Sequence, residues 1–342
     1  MDRHHDLPSA NLAAQSSGAD ALSEVLRTVK LSGALFFLVE ASSPWGVDIP
    51  PASEFAAILF PRARHIVSYH VVVQGSGWAS VGGQPAVRFD AGDVIVFPHG
   101  DSYAMLSEPG GTPALPRAQA LGFFRAMAAG ELPFIVPEGG GGPERARFVC
   151  GFLGCDTRPF NPLLATLPRL MQVRSAGAAQ GDMLDRLVAL TLAEAEQRRP
   201  GGERMRTGLG ELMFVEIVRR YIAGLPGHGT GWLAGLRDPV VGRALALIHA
   251  RPAQPWTLET LAAESGLSRS ALAERFARLV GYPAMQYLAR WRIQVAARLL
   301  ADGTAKVGAV GREVGYASEA AFSRSFKKLA GMSPADWRDR GS

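Results

Sequence analysis

The chain has 342 residues, of which 47% are hydrophobic and 20% charged, with 36 Lys and Arg against 31 Asp and Glu and two cysteines. That length predicts two domains with packed cores, no run is long and apolar enough to predict a membrane span, and two cysteines without a signal-peptide core predict a reducing, cytoplasmic setting. The net charge of +5 is unevenly spread: residues 251–342 hold 14 Lys and Arg against 8 Asp and Glu, which leaves 22 against 23 for residues 1–250. Positive charge confined to one end is a footprint for phosphate. It is not arranged as an amphipathic anchor, so no membrane partner is expected.

Residues 1–20 are polar and rich in small side chains, and are expected to be a disordered lead-in. Short apolar and β-branched segments follow. Ala34–Val39, Phe55–Leu59, His65–Val73, Trp78–Val81, Ala86–Phe89, Val94–Phe97 and Phe148–Asp156 are read as strands. Gly75-Ser76-Gly77 and Gly82-Gly83-Gln84-Pro85 are turns, and residues 110–120 and 139–142 are loops. Strands at this spacing predict a barrel or jelly roll over residues 21–175. Phe123, Phe124 and Met127 read as core of a short helix. Residues 176–224 turn helical, and Leu212, Val215, Val218 and Ile222 form a stripe suited to core packing or to a dimer face. Residues 225–237 include a Gly-rich stretch and are expected to be a flexible linker, with a last domain over 238–340.

That last domain contains one pattern twice. Ala271 and Ala321, Leu272 and Phe322, Phe276 and Phe326, Leu279 and Leu329, and Gly281 and Gly331 are each fifty positions apart. In the first copy Thr257 is an N-cap for a helix that ends near Glu264, Gly266 makes a sharp turn, and Ser268 caps a second helix with Ala271, Leu272, Phe276 and Leu279 inward. Arg269, Ser270, Ala273, Glu274, Arg275 and Arg278 are left on the opposite face. In the second copy Val307, Val310 and Val314 precede the turn at Gly315-Tyr316, and Ser318 caps. Phe322, Phe326 and Leu329 point inward, while Glu319, Ala320, Ser323, Arg324, Lys327 and Lys328 point out. A long helix over 284–301 joins the copies, and Ser333-Pro334-Ala335-Asp336 opens a final one. Two helix-turn-helix units predict two recognition helices in successive major-groove segments, about 34 Å apart.

Residues 257–338 resemble the two-repeat DNA-binding domain of the AraC/XylS transcriptional regulators. The likeness is carried by Leu261–Ser268, Phe276–Gly281, Arg298-Leu299-Leu300, Val314–Lys328, Gly331–Pro334 and Trp337-Arg338. Gly308 and Gly311 depart from it, standing where the family usually has Ala, and each is expected to weaken its helix by up to about 1 kcal/mol. Residues 92–103, Tyr69-His70 leading to Gly75–Trp78, and Val149–Phe152 are similar to the cupin-like sensor domains fused to many such regulators. The resemblance implies an α+β protein: an N-terminal cupin-like β-barrel with a helical segment, then an all-α domain with two helix-turn-helix units. It also implies promoter DNA and a small-molecule effector as partners, with RNA polymerase and a second copy of the chain as further candidates.

By residue-wise resemblance the base-edge candidates are Arg269, Ser270, Ala273 and Glu274 in the first unit, and Glu319, Ala320, Ala321 and Arg324 in the second, beside the cap Ser318. Arg324 is the strongest, because a guanidinium can pair with guanine through two hydrogen bonds. Arg278, Arg292, Lys306, Lys327 and Lys328 are expected on phosphates. In the sheet domain His70, His99 and Tyr103 are the effector-site candidates. Enzymatic cupins bind metal through several His and a carboxylate. Here His70 is followed by Val71-Val72-Val73-Gln74, and Tyr103 takes the second-motif His position, so no metal or other cofactor is expected. Cys150 and Cys155 read either as a local redox pair or as buried apolar thiols. The alternatives to a sensor-controlled regulator are a cupin-type metalloenzyme with a DNA-binding tail, and an architectural DNA-binding protein without an effector.

Overall fold

A computed structural model describes residues 20–28, 31–61, 63–156, 158–174, 182–197, 199–225 and 229–341. The predicted lead-in therefore lies outside the described residues but for Asp20, as do the start of the predicted helical segment and part of the predicted linker. In chain order the elements are α1 (Ala21–Thr28), β1 (Leu31–Ser42), β2 (Gly46–Ile49), α2 (Ala52–Leu59), β3 (His65–Gln74), β4 (Ser76–Val81), β5 (Val87–Asp90), β6 (Val94–Phe97), β7 (Tyr103–Leu106), α3 (Arg117–Ala128), β8 (Ile135–Gly139), β9 (Arg145–Cys155) and β10 (Met171–Val173). Helices complete the chain: α4 (Met183–Gln197), α5 (Gly202–Gly224), α6 (Trp232–Arg237), α7 (Pro239–Ala250), α8 (Leu258–Ser265), α9 (Arg269–Val280), α10 (Ala284–Asp302), α11 (Val307–Glu313), α12 (Glu319–Ala330) and α13 (Pro334–Gly341).

The strands make two sheets, ordered β10-β6-β3-β9-β1-β8 and β2-β7-β4-β5. Strand alternation gives the larger sheet two apolar faces. Val67, Tyr69, Val71, Val149 and Leu153 face a core shared with α4, α5 and the C-terminal helices. Ile66, Val72, Phe148, Cys150 and Phe152 face the smaller sheet. Gly151 serves the first face: a Cβ there would lie 2.1 Å from the Tyr69 ring.

Three sequence expectations change here. Residues 55–59, read as a strand, lie in α2, because Ala52, Phe55 and Leu59 are buried at helical spacing and Phe55 stacks on Phe124 of α3 at 4.2 Å. Residues 117–120 belong to α3 rather than to a loop. Residues 232–237, expected as linker, form α6, with Trp232 and Leu233 buried against the first helix-turn-helix unit. The stripe on α5 also divides: Val218 is buried, whereas Leu212 is 55% exposed.

The C-terminal helices are built by local caps. Thr257 and Thr260 form a reciprocal capping box at α8. Gly266 ends α8 at φ 80°, a left-handed value that a side chain would strain, and Gly315 makes the equivalent turn at φ 90°. Helix α10 spans both units: its first half, with Tyr287, Leu288 and Trp291, lies in the core of the first, and Ile293, Ala296, Ala297 and Leu300 lie in the core of the second.

Candidate nucleic-acid interface and sensor cavity

Each unit presents a helix whose start is fixed by a serine. Ser268 Oγ accepts from the Ala271 amide at 3.3 Å, and Ser318 Oγ accepts from the Ala321 amide at 3.2 Å. Leu272, Phe276 and Leu279 anchor α9 in its core, and Phe322 and Phe326 anchor α12. Ala271, expected inward, is exposed, because it sits one position off the buried row. On α9, Arg269, Ser270, Glu274 and Arg278 are exposed and Ala273 is half-buried. On α12, Glu319, Ala320, Arg324, Lys327 and Lys328 are exposed and Ala321 is half-buried. Arg269 Nε lies 2.9 Å from Glu259 Oε1 on α8, an exposed pair that water and salt weaken. Lys306 is exposed just before α11.

Two arginines serve the scaffold instead. Arg275 places Nε and one terminal nitrogen at 2.9 and 2.6 Å from Asp238 Oδ2, and Asp238 also caps α7 through Oδ1. Arg292, expected on phosphate, donates to the Pro252 carbonyl at 2.7 Å and the Gln254 carbonyl at 2.8 Å, with Tyr316 beside its guanidinium. Burial lowers its pKa from the ordinary arginine value. Its donors are turned into the junction between the units.

One of the two glycines of α11 has a packing reason. A Cβ on Gly311 would meet the Phe322 ring at 2.9 Å, and one on Gly308 would meet the Glu319 carboxylate at 2.3 Å. The missing side chain of Gly311 lets α11 and α12 approach closely, whereas the contact at Gly308 is with the flexible end of Glu319, which can move aside.

Between the two sheets lies a cavity of about 350 Å³. Its wall is mostly aromatic and aliphatic, with Phe37, Trp45, Phe123 and Phe148 prominent. Trp45 and Phe148 stand 5.0 Å apart between ring centres. At one end His70 spans a polar row, with Nδ1 3.1 Å from Cys150 Sγ and Nε2 3.0 Å from Tyr103 Oη. Burial pushes His70 down to about 3, so the imidazole is neutral at physiological pH. Burial raises the Tyr103 hydroxyl and the Cys150 thiol, which keeps both protonated. Both His70 nitrogens are thus engaged, and among the described residues no group of three or more His, Cys, Asp or Glu is placed to hold a metal ion.

His99 is not part of this cavity. Its Nε2 is 2.8 Å from the Leu167 carbonyl, on the side of the sheet reached by the chain before β10. Cys150 and Cys155 do not form a pair either. They are five positions apart on β9, an odd spacing that sends them to opposite faces and separates their backbones by roughly 16 Å. Both thiols are buried, in different cores, and burial pushes Cys155 up to about 12.

Trp45 and Glu138 are among the cavity residues that escaped the sequence reading. Trp45 sits in a short connection without periodic signal. Glu138 is the penultimate residue of β8, and its Oε1 accepts the Gly46 amide at 3.1 Å. A lone carboxylate closing the apolar run Ile135-Val136-Pro137 was the available signal.

The sheet domain and the helical domain meet on α10. The Phe160 amide donates to Gln294 Oε1 at 2.9 Å, and its ring packs edge-on to Tyr287 at 5.5 Å. The Arg290 guanidinium lies 4.6 Å from the Tyr282 ring and 5.8 Å from that of Phe160.

A cavity-bearing double sheet joined to two capped recognition helices defines a two-domain DNA-binding transcriptional regulator. The Cupin family matches residues 20–223, and the Helix-turn-helix domain family matches residues 261–340. An AraC-like transcription regulator of Streptomyces lividans is 31% identical over 323 residues, 93% of this chain and 98% of that protein. The HTH-type transcriptional regulator AlkR of Acinetobacter baylyi is 26% identical over 322 residues, 94% and 99% of the two chains. Among solved structures, the DNA-binding domain of AdpA in complex with a target DNA is 31% identical, covering 30% of this chain and 91% of its own, with a TM-score of 0.28. The chain belongs to the AraC-like transcription regulators. No helix among the described residues is long and apolar enough to cross a membrane.

Proposed function

We propose that the chain is an effector-controlled promoter-binding protein in which the cavity between the two sheets takes the effector. The observation that carries this reading is the aromatic-lined space of about 350 Å³ at the heart of a domain whose other face packs onto α10. That size lies within the ~300–1,000 Å³ usual for small-molecule sites. His70 and Tyr103 line it, and His99 is omitted from the effector site.

On the DNA side, Arg269, Ser270, Ala273 and Glu274 face one major-groove segment, and Glu319, Ala320, Ala321 and Arg324 face the next. Ser318 orients the second helix, while Arg278, Lys306, Lys327 and Lys328 contact phosphate. Residues 21–175 sense, 176–224 support the sensor, and the reading head begins near α6 rather than at 238. Met183 and Leu190 on α4, with Met205 and Leu212 on α5, are each more than half exposed and repeat at seven-residue spacing, which suits contact with a second copy. RNA polymerase is the expected downstream partner, and the cytoplasm the expected site of action.

The test is selection of genomic DNA fragments by full-length protein at near-physiological salt, followed by sequencing. Discrete sites with two short motifs about one helical turn, 34 Å, apart are expected. Enrichment without a motif would refute sequence-specific control and leave only phosphate binding.

A further inference from the structure

Among the described residues Glu138 is the one carboxylate in the cavity wall, and neither Lys nor Arg lines that space. Its Oε1 is held by the Gly46 amide at 3.1 Å, next to Trp45, whose ring pairs with that of Phe148. Among the described residues no basic side chain forms an ion pair with Glu138. Arg145 and Arg147 line an outer cleft that Glu138 also borders, and Arg147 lies 3.2 Å from Glu40 there. The remaining polar groups of the wall, His70, Tyr103 and Cys150, bond to one another and carry no charge near neutral pH. The cavity thus offers one acidic group, several aromatic faces and no basic partner.

A negative group at the edge of an aromatic cage is complementary to an organic cation: ring faces attract positive charge, most strongly where water is excluded. The same wall opposes a carboxylate ligand, which would meet a like charge and no basic side chain. We propose that the cavity binds a monocationic small molecule with an apolar or aromatic body, its charge held between Glu138 and the faces of Trp45 and Phe148. This rests on the reading of the cavity as the effector site and narrows it to one class of ligand.

Burial raises the Glu138 carboxyl to about 7. Folding thus leaves it part protonated near neutrality, and a bound cation would favour the ionised form. Of the groups facing it inside the cavity, burial raises Cys150 and holds His70 low, while Arg145, Arg147 and Glu40 border it from the outer cleft.

The test uses full-length protein and three probes of similar size: benzyltrimethylammonium, its uncharged isostere neopentylbenzene, and the anion 3-phenylpropanoate. Binding is followed by calorimetry and by the change in intrinsic tryptophan fluorescence, to which Trp45 contributes among six tryptophans. The cation is expected to bind at least tenfold more tightly than the neutral probe, and the anion least. Glu138→Gln, which keeps the shape and can still accept from Gly46, should cost the cation tenfold or more and leave the neutral probe unchanged. That unchanged binding also reports that the variant is folded. Raising the pH from 6 to 8 should tighten the cation on the native protein and leave it flat on the variant. Equal binding of cation and neutral probe, preference for the anion, or full retention by Glu138→Gln would overturn the proposal while leaving an effector cavity in place. Failure of all three probes would overturn both.

Discussion

Arg292→Met tests whether the two DNA-reading units are held in register from inside the protein. The guanidinium donates to the Pro252 and Gln254 carbonyls at 2.7 and 2.8 Å from the middle of α10. Those carbonyls lie just before α8, and Tyr316, beside the guanidinium, lies in the turn before α12. Gly315 packs on the same segment, since a Cβ there would stand 2.6 Å from the Ala253 carbonyl oxygen. Methionine keeps most of the stem and removes every donor. A hydrogen bond from a charged group contributes about 1.5–3 kcal/mol. Two such bonds at a half-buried site, where water replaces part of what is lost, place the expected destabilisation at about 2–4 kcal/mol. Urea unfolding should show a lower midpoint at unchanged slope. DNA binding should change in a particular way. Affinity for a site with both motifs should fall on the order of tenfold, because the second unit no longer arrives pre-aligned with the first. Affinity for a single motif should hold. The dependence on salt should also hold, since no phosphate contact is removed. If Arg292 instead held phosphate, the salt slope would drop by about 0.9 and stability would stay the same. That result would refute the junction argument.

Arg324→Ala should weaken specific binding by about 1–3 kcal/mol and relax preference at one base pair; equal loss on specific and random DNA, measured by fluorescence anisotropy, would remove its reading role. Lys327→Ala should weaken all DNAs alike and lower the salt slope by about 0.9, and an unchanged slope would take it off the phosphate. Gly315→Ala should destabilise by about 1–3 kcal/mol, from the strain of φ 90° and the backbone of Ala253. A neutral effect in denaturant titration would show that the turn relaxes freely. Cys150 and Cys155 should both remain reduced under mild oxidant and label slowly in the folded state, as read by mass spectrometry. An intrachain disulfide between them would contradict their opposite faces on β9.

What the sequence disclosed and what it withheld divide along physical lines. Helix caps and left-handed turns are set by a few adjacent residues, so Thr257, Gly266, Ser268, Gly315 and Ser318 announced both units before any fold was known. Residues 55–59 misled because a five-residue apolar run fits strand and helix alike, and stacking on Phe124 decided the matter. Arg275 and Arg292 misled for a different reason. Their positions mark them as outward and basic, but a long cation goes to whichever acceptor is near, and the acceptors here come from residues 37–40 positions away. His99 followed the same logic, bonding to a carbonyl 68 residues on. Glu138 was silent because the meaning of a carboxylate lies in what surrounds it.

Helix α10 connects these observations. It carries Arg292 toward the junction of the two reading units, and within the five positions before Arg292 it carries Tyr287, Arg290 and Trp291, of which Tyr287 and Arg290 meet Phe160 of the sheet domain. Gln294, two positions after Arg292, accepts the Phe160 amide directly. Phe160 in turn follows β9, the strand that carries Phe148, Cys150 and Phe152 in the cavity wall. A ligand that shifts β9 by a fraction of an ångström therefore presses on a packed aromatic contact and not on a slack tether, and close-packed interiors pass such strain on. The two sites need no mobile linker to communicate, because Phe160 packs directly on α10, the helix that carries Arg292. The coupling should then run in both directions: DNA that fixes the two units should alter affinity in the cavity by the same factor that the ligand alters affinity for DNA.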